Sequence, residues 1–259
     1  MAQRRKNKGN RTRKYTRLIL WAGVFVVVFL FLLWGTREKE HETTDTLAVS
    51  FGDEESSLPT CHVYQDKMPH YDGEDILVLN EDQPNFTKHD IESITGETYA
   101  PFDSLGRCGS AVARLDASMM PKDKTRPSTG MIRPSGFINR KYEGIIDDLY
   151  LYNRCHLIAY GLTAKNLEEG LVTGTRHLNK DLMAGYEIMV MKWLEENPEK
   201  HVLYRVTPYF ERKELVCRGV EMEAYSVEDS GRGLSFHVFL YNVQPGIEID
   251  YETGESTLE

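Results

Sequence analysis

The 259-residue sequence predicts an α+β domain built on an antiparallel sheet and preceded by one N-terminal transmembrane helix. Three observations carry this. An uninterrupted apolar run, Leu18 to Trp34, stands near the N-terminus. A single long stretch, Asn179 to Glu196, repeats its apolar residues with a helical period. The other apolar segments are short and bounded by Gly, Pro, Asn and Asp, as strands are, and the last two read as a hairpin.

Residues 1–17 form a basic tail with eight Lys/Arg and no acid. Seventeen apolar residues at about 1.5 Å rise each come close to a hydrocarbon core of about 30 Å, so residues 18–36 are expected to be a membrane anchor. A cleaved signal peptide usually has a shorter apolar region, about 7–15 residues, and Leu33-Trp34-Gly35-Thr36-Arg37 offers no small-x-small cleavage site. The cations then stay cytoplasmic, and the chain from about residue 37 lies outside the cell membrane. A nucleic-acid-binding arm is the competing reading of the tail, but its position against an apolar span favours topology. Residues 37–60 are acidic and Ser/Thr-rich, a solvated extracellular stalk. Residues 61–259 fit one domain of ordinary size.

Without the eight N-terminal cations, 23 Lys/Arg face all 40 Asp/Glu, and the outer part carries about −17. Generic nucleic-acid binding is driven by phosphate neutralisation and is not what such a surface predicts. Any such role needs a local basic cleft and a bound cation. Cys61, Cys108, Cys155 and Cys217 allow three disulfide pairings or buried free thiols, and their spacing does not suit a zinc site. The sequon Asn85-Phe86-Thr87 matters only in a glycosylating host.

Taken in order, Ile76–Asn80 and Cys108–Leu115 read as strands, and Met120–Gly136, rich in Pro, Ser, Thr and Lys/Arg, as a long surface loop. Asp148–Leu162 reads as strand and turn. Leu182, Met183, Tyr186, Met189, Val190, Trp193 and Leu194 then form one helical stripe, closed by Asn197-Pro198. His201–Phe210 is a strand. Glu214–Val227 and Leu234–Ile249 pair through Asp229-Ser230-Gly231-Arg232-Gly233.

The chemistry-bearing residues are Arg154 and His156 on the strand and turn, then Asn179 and Glu187 on the helix. Eight helical residues advance about 800°, leaving an offset of about 80° and about 12 Å of rise, so Asn179 and Glu187 share one flank. A histidine can deprotonate water, an asparagine can hold a hard cation by its amide oxygen, and an arginine can sit on phosphate. Each has a bland role alone: Asn179 as a helix cap, Glu187 as a solvated residue, His156 as a satisfied imidazole. Tyr150, Tyr152 and Tyr160 could stack on bases but more often pack a core. His62, His70, His89, His177, His201 and His237 read as surface or core residues.

The arrangement resembles the DNA/RNA non-specific endonucleases of the ββα-metal (His-Me finger) superfamily, whose signature is Asp-Arg-Gly-His, a later helix Asn, and a Glu eight residues beyond it. Here it stands as Asn153-Arg154-Cys155-His156, Arg176-His177-Leu178-Asn179 and Glu187. The resemblance extends to Tyr99-Ala100-Pro101-Phe102-Asp103-Ser104-Leu105-Gly106-Arg107-Cys108-Gly109, Thr173-Gly174-Thr175-Arg176 and Leu203-Tyr204-Arg205-Val206-Thr207-Pro208. It covers about Cys61 to Asp250 and looks like the Gram-positive secreted or membrane-attached branch. Asn153 replaces the usual aspartate and Cys155 the usual glycine. The aspartate position is not the proton acceptor, and Cys is small enough for the glycine position.

The resemblance implies a ββα-metal finger core and a hydrolase that cuts DNA and RNA to 5′-phosphate ends. It gives His156 as general base and Asn179 as the protein ligand of one Mg²⁺, with Mn²⁺ as a substitute. Glu187 orients a water of the cation's shell, and Arg154, Arg176 and Arg205 contact substrate phosphate. It gives His177 no role. The expected partners are nucleic acid as substrate and the membrane through residues 18–36, with no obligate protein partner. The competing reading is a catalytically weakened nucleic-acid-binding or adhesion module on the same fold, which would have no use for a general base. A contact-dependent toxin domain is a third, without the long delivery chain such domains usually follow.

Overall fold

In the computed structural model, residues 68–259 are described, except 124 and 126. The basic tail, the apolar run, the stalk and Cys61 lie outside them, and among the described residues no helix is long and apolar enough to cross a membrane.

Alternation decides the main sheet. Six antiparallel strands are ordered β1-β8-β7-β6-β3-β2. They are β1 (Ile76–Val78), β2 (Glu97–Tyr99), β3 (Ala111–Leu115), β6 (Val202–Tyr209), β7 (Gly219–Ser226) and β8 (Ser235–Tyr241). Ala111 and Ala113, Tyr204 and Val206, Val220 and Met222, and Val238 and Leu240 point to one face and enter the main core. Pro208 is tolerated inside β6 because the pairing with β3 ends at Val206, leaving no partner on that side for the missing N–H.

Against the inner face packs a smaller unit. Strands β4 (Tyr152–His156) and β5 (Leu171–Thr175) pair with each other alone, Cys155 opposite Val172 and Asn153 opposite Gly174. A helix follows them, so the expected strand–strand–helix finger is present within a mixed helix and antiparallel-sheet fold. The helix departs from expectation at its start. It opens at His177, not Asn179, as a π-turn, His177–Met183, that runs on into an α-helix, Ala184–Glu196. Of the predicted stripe, Leu182, Met183, Val190, Trp193 and Leu194 are buried, Tyr186 packs partly, and Met189 at the stripe's edge is 47% exposed. The short helices Lys88–Ser93 and Tyr160–Thr163 and the strands β2, β5, β9 (Ile247–Ile249) and β10 (Ser256–Leu258) are too short to show a period. Lys88–Ser93 starts on a capping box between Thr87 and Asp90, with the Asp90 N–H donating to Thr87 Oγ1 at 3.0 Å.

The outer face of the sheet carries charge. Register places Arg205 opposite Glu223 and Glu223 opposite His237 on neighbouring strands. Arg205 Nε donates to Glu223 Oε2 at 2.6 Å, and the Asn85 N–H to Glu223 Oε1 at 2.6 Å. His237 Nε2 lies 2.6 Å from Glu221 Oε1, and its Nδ1 donates to the Gln83 carbonyl at 2.9 Å. The Arg205 guanidinium also stacks on Phe86 at 4.8 Å. This network fastens residues 82–90 over the sheet.

It also makes a pH prediction. Burial alone would lower His237, but its hydrogen bond to Glu221 and the charges of Glu223 and Glu221 outweigh that and raise it. Burial alone would raise Glu221, but hydrogen bonds from His237 and Tyr209 hold it below its usual range. The His237 contribution to stability is therefore complete below the ordinary value of 6.5 and lost as pH climbs through the raised one. That of Glu221 is complete above 4.5 and lost as pH falls through the depressed one. His237→Ala leaves the half-buried Glu221 carboxylate with Tyr209 alone, while Glu223 keeps Arg205, and should cost about 1–3 kcal/mol. Thermal melts across pH should show the largest gap from wild type between those two ordinary values, narrowing on the alkaline side. A pH-independent gap would contradict this.

Candidate active site

Strand alternation sends Tyr152, Arg154 and His156 to one side of β4 and Cys155 to the other. His156 closes the strand in the floor of a cleft of about 430 Å³, where it is 7% exposed. Asn153, Arg154, Tyr160, Asn179, Lys180 and Glu187 line the same cleft. Four residues expected from sequence, His156, Arg154, Asn179 and Glu187, thus converge on one concave site.

The π-turn contributes to this convergence. Its wider i→i+5 winding slows the angular advance per residue, so the offset of about 80° expected for Asn179 and Glu187 on an α-helix shrinks. Asn179 does not cap the helix. Arg176 occupies the preceding position, and no side-chain cap bond is made there. Among the described residues the Asn179 amide has no hydrogen-bond partner, so its oxygen is available to a ligand.

Arg154 is held rigidly. Its Nε donates to the Ile132 carbonyl at 2.5 Å and its Nη2 to the Gly130 carbonyl at 3.1 Å, and the guanidinium stacks on Phe137 at 4.4 Å. Burial, then the nearby charge of Arg133, lowers its pKa from the ordinary arginine value.

Two predicted phosphate contacts are placed elsewhere. Arg205 lies on the outer face of the sheet, committed to Glu223, because its neighbours Tyr204 and Val206 take the inner face. This corrects the expectation for Arg205. Arg176 pairs with Asp148 at 2.9 Å and Asp181 at 3.4 Å and is not among the residues lining the cleft. His177 bridges Asp75 at 2.8 Å and Asp181 at 3.0 Å, away from the lining. Tyr150 stacks under Lys141, whereas Tyr160 and the buried Tyr152 both line the cleft.

Sequence reading missed Asn166 and Lys180. Asn166 Oδ1 lies 2.7 Å from His156 Nε2. Lying between β4 and β5, Asn166 looks in sequence like any turn asparagine, and only the fold brings it to His156. Lys180 is an exposed helix residue whose one signal is adjacency to Asn179.

The two departures from the family signature each leave a physical trace. Asn153 Nδ2 is buried with no hydrogen-bond partner among the described residues, a donor where the signature has an acceptor. Cys155 is fully buried, and burial followed by the nearby Cys217 raises its thiol well above the usual range, so it is no nucleophile. Cys155 and Cys217 are both free thiols. Cys155 fits because Gly174 faces it: a Cβ at 174 would lie 2.3 Å from the Cys155 sulfur and 3.3 Å from Leu178 Cδ2. Gly174→Ala should therefore destabilise the finger by about 1–3 kcal/mol. Cys155→Gly in the same chain should recover much of that loss in denaturant titrations. Equal losses with and without Cys155→Gly would show that the two positions are not packed as described.

Comparisons with known proteins bear on the family and the fold. The family model described as DNA/RNA non-specific endonuclease matches residues 87–228. A deoxyribonuclease of Streptococcus dysgalactiae subsp. equisimilis is 30% identical over 109 residues, 40% of this chain and 32% of that protein. The chain thus spans about a third of the length of that curated relative. The crystal structure of NucA from Streptococcus agalactiae with magnesium ion bound has a TM-score of 0.61 at 28% identity, covering 71% of this chain and 87% of that one. Sda1 nuclease with bound zinc ion is similar in fold, with a TM-score of 0.54 at 23% identity over 64% and 83% of the two chains. The match from 87 to 228 takes in more than half of the chain and every residue of the cleft, and the chain belongs to the DNA/RNA non-specific endonuclease family.

Proposed function

We propose that this protein is a divalent-metal-dependent endonuclease that hydrolyses phosphodiester bonds of DNA and RNA without reading their sequence. The observation that carries the reading is the meeting of His156, Arg154, Asn179 and Glu187 in one cleft. His156 takes the proton of the attacking water at the scissile phosphorus. Arg154 brings positive charge to the phosphate from a fixed position, and Lys180 adds a second cation beside it. Together they supply the local basic site that an acidic outer domain needs. None of these groups reads a base or a sugar, which accounts for action on both nucleic acids.

The donor set suits a hard cation. Asn179 would hold it through its amide oxygen, with the Glu187 carboxylate on the same flank. When bound, a divalent cation neutralises the charge that develops on the phosphate and on the leaving O3′. Magnesium is the ion we propose, in keeping with the magnesium-bound structure of NucA, with manganese as a substitute. Glu187 orients water near the leaving oxygen, and the products carry 5′-phosphates.

The location belongs to the same reading. The apolar run 18–34 behind eight cations supports an anchor with the nuclease domain outside the cell.

The test is incubation of the purified protein with supercoiled plasmid and with single-stranded RNA, with Mg²⁺ and then with excess EDTA. Both substrates should be cut with Mg²⁺ and neither with EDTA, and the DNA ends should be directly ligatable. Intact substrates under Mg²⁺, Mn²⁺ and other divalent ions would overturn the reading in favour of a binding module.

A further inference from the structure

The surface loop expected from Met120 to Gly136 is tied beside the cleft at several of its described residues. Tyr160 Oη donates to the Thr125 carbonyl at 3.0 Å. Asn166 Nδ2 donates to the Pro127 carbonyl at 3.0 Å. Arg154 donates to the carbonyls of Ile132 and Gly130. Every one of these ties runs from a side chain of the β4–β5 unit to a backbone oxygen, so Thr125, Pro127, Gly130 and Ile132 are held through their backbone and not their side chains.

One tie differs from the others because its side chain also touches His156. An amide group donates only through nitrogen and accepts only through oxygen. With Nδ2 committed to the Pro127 carbonyl, the atom Asn166 turns to His156 is Oδ1, at 2.7 Å. An acceptor there requires a hydrogen on His156 Nε2, and a neutral imidazole carries only one. The lone pair that takes a proton is then on Nδ1.

The geometry points to Asn166 as the positioning residue of this site, selecting the Nε2–H tautomer of His156, with the Pro127 carbonyl of the tied loop fixing the direction of its amide. This rests on the reading of His156 as general base. It makes the loop part of the catalytic apparatus without contact between loop and reacting atoms. If the loop leaves Asn166, the amide can turn, its nitrogen can donate to the ring, and the lone pair passes to Nε2, where it is blocked. Tyr152, Arg154, Tyr160, Lys180 and Glu187 are the other titratable groups lining the cleft, and none of them is substituted in the variants below.

The test compares Asn166→Ala, Asn166→Asp and His156→Ala in the full-length protein, measuring kcat and KM for duplex DNA with Mg²⁺ across pH. Asn166→Ala should lower kcat about 10–100-fold with KM within about threefold of wild type, because orientation of the base is lost and substrate contacts are not. Asn166→Asp keeps an acceptor facing Nε2–H and stabilises the imidazolium. The acid limb of its pH profile should move to higher pH by about one unit or more, with activity recovering on the alkaline side. Wild-type kcat and pH profile in both Asn166 variants, beside an inactive His156→Ala, would overturn the role of Asn166 and leave the base in place. Full activity in His156→Ala would overturn the reading beneath it. Nitrogen-15 NMR of the wild-type His156 ring gives an answer that needs no variant: the Nε2–H form is expected, and the Nδ1–H form would overturn the assignment.

Discussion

Alanine at His156 should lower plasmid nicking about 10²–10⁴-fold, the range general-base catalysis contributes. On the proposed reading the ring accepts a proton while Arg154 and Lys180 hold the phosphate, so the loss should fall on kcat. KM should change little. The side chain is small, at the end of β4 and facing the cleft, so the main core keeps its contacts. A circular dichroism melt should therefore resemble that of wild type, apart from the loss of the Asn166 hydrogen bond. A variant that unfolds would indicate that His156 is a core residue.

The second large effect is expected from Asn179→Ala. If the amide oxygen holds the cation, the Mg²⁺ concentration needed for half-maximal rate should rise by more than the 10–100-fold typical of losing an outer-shell partner. Stability gives a second readout that separates the roles. A capping asparagine replaced by alanine costs about 1 kcal/mol. Asn179 lies inside the helix, in its π-turn, where alanine is the better helix former by up to about 0.7 kcal/mol. The melting temperature should stay level or rise while the metal requirement climbs. A lower melting temperature with an unchanged metal requirement would return Asn179 to a structural role.

Residue type and spacing made part of the site legible. His156, Asn179 and Glu187 were readable because a strand-borne histidine and a helix pair eight apart leave a pattern in one dimension. The same alternation that identifies β6 could have placed Arg205: with Tyr204 and Val206 directed into the core, Arg205 must face the other way. Asn166 left no such pattern. Its two contacts lie 10 and 39 residues away in sequence, and nothing local marks it. The π-turn is invisible for a related reason, since Leu178, Leu182 and Met183 satisfy an α-helical period well enough. The surface loop itself was legible, but its ties were not, because Pro, Ser, Thr and Lys/Arg describe its side chains whereas its anchors are backbone carbonyls. Short strands such as β2 and β9 owe their form to a partner across the sheet, which no window of their own sequence contains.

On the proposed reading, one cleft performs one reaction on both nucleic acids. Its most direct measurement is the initial rate of cleavage of supercoiled plasmid and of single-stranded RNA by wild type and His156→Ala, side by side in saturating Mg²⁺. Wild type should cut both, and the variant should lose about the same factor on each, within the range of about 10²–10⁴. Loss on one substrate with retention of the other, or a variant as active as wild type on both, would contradict it.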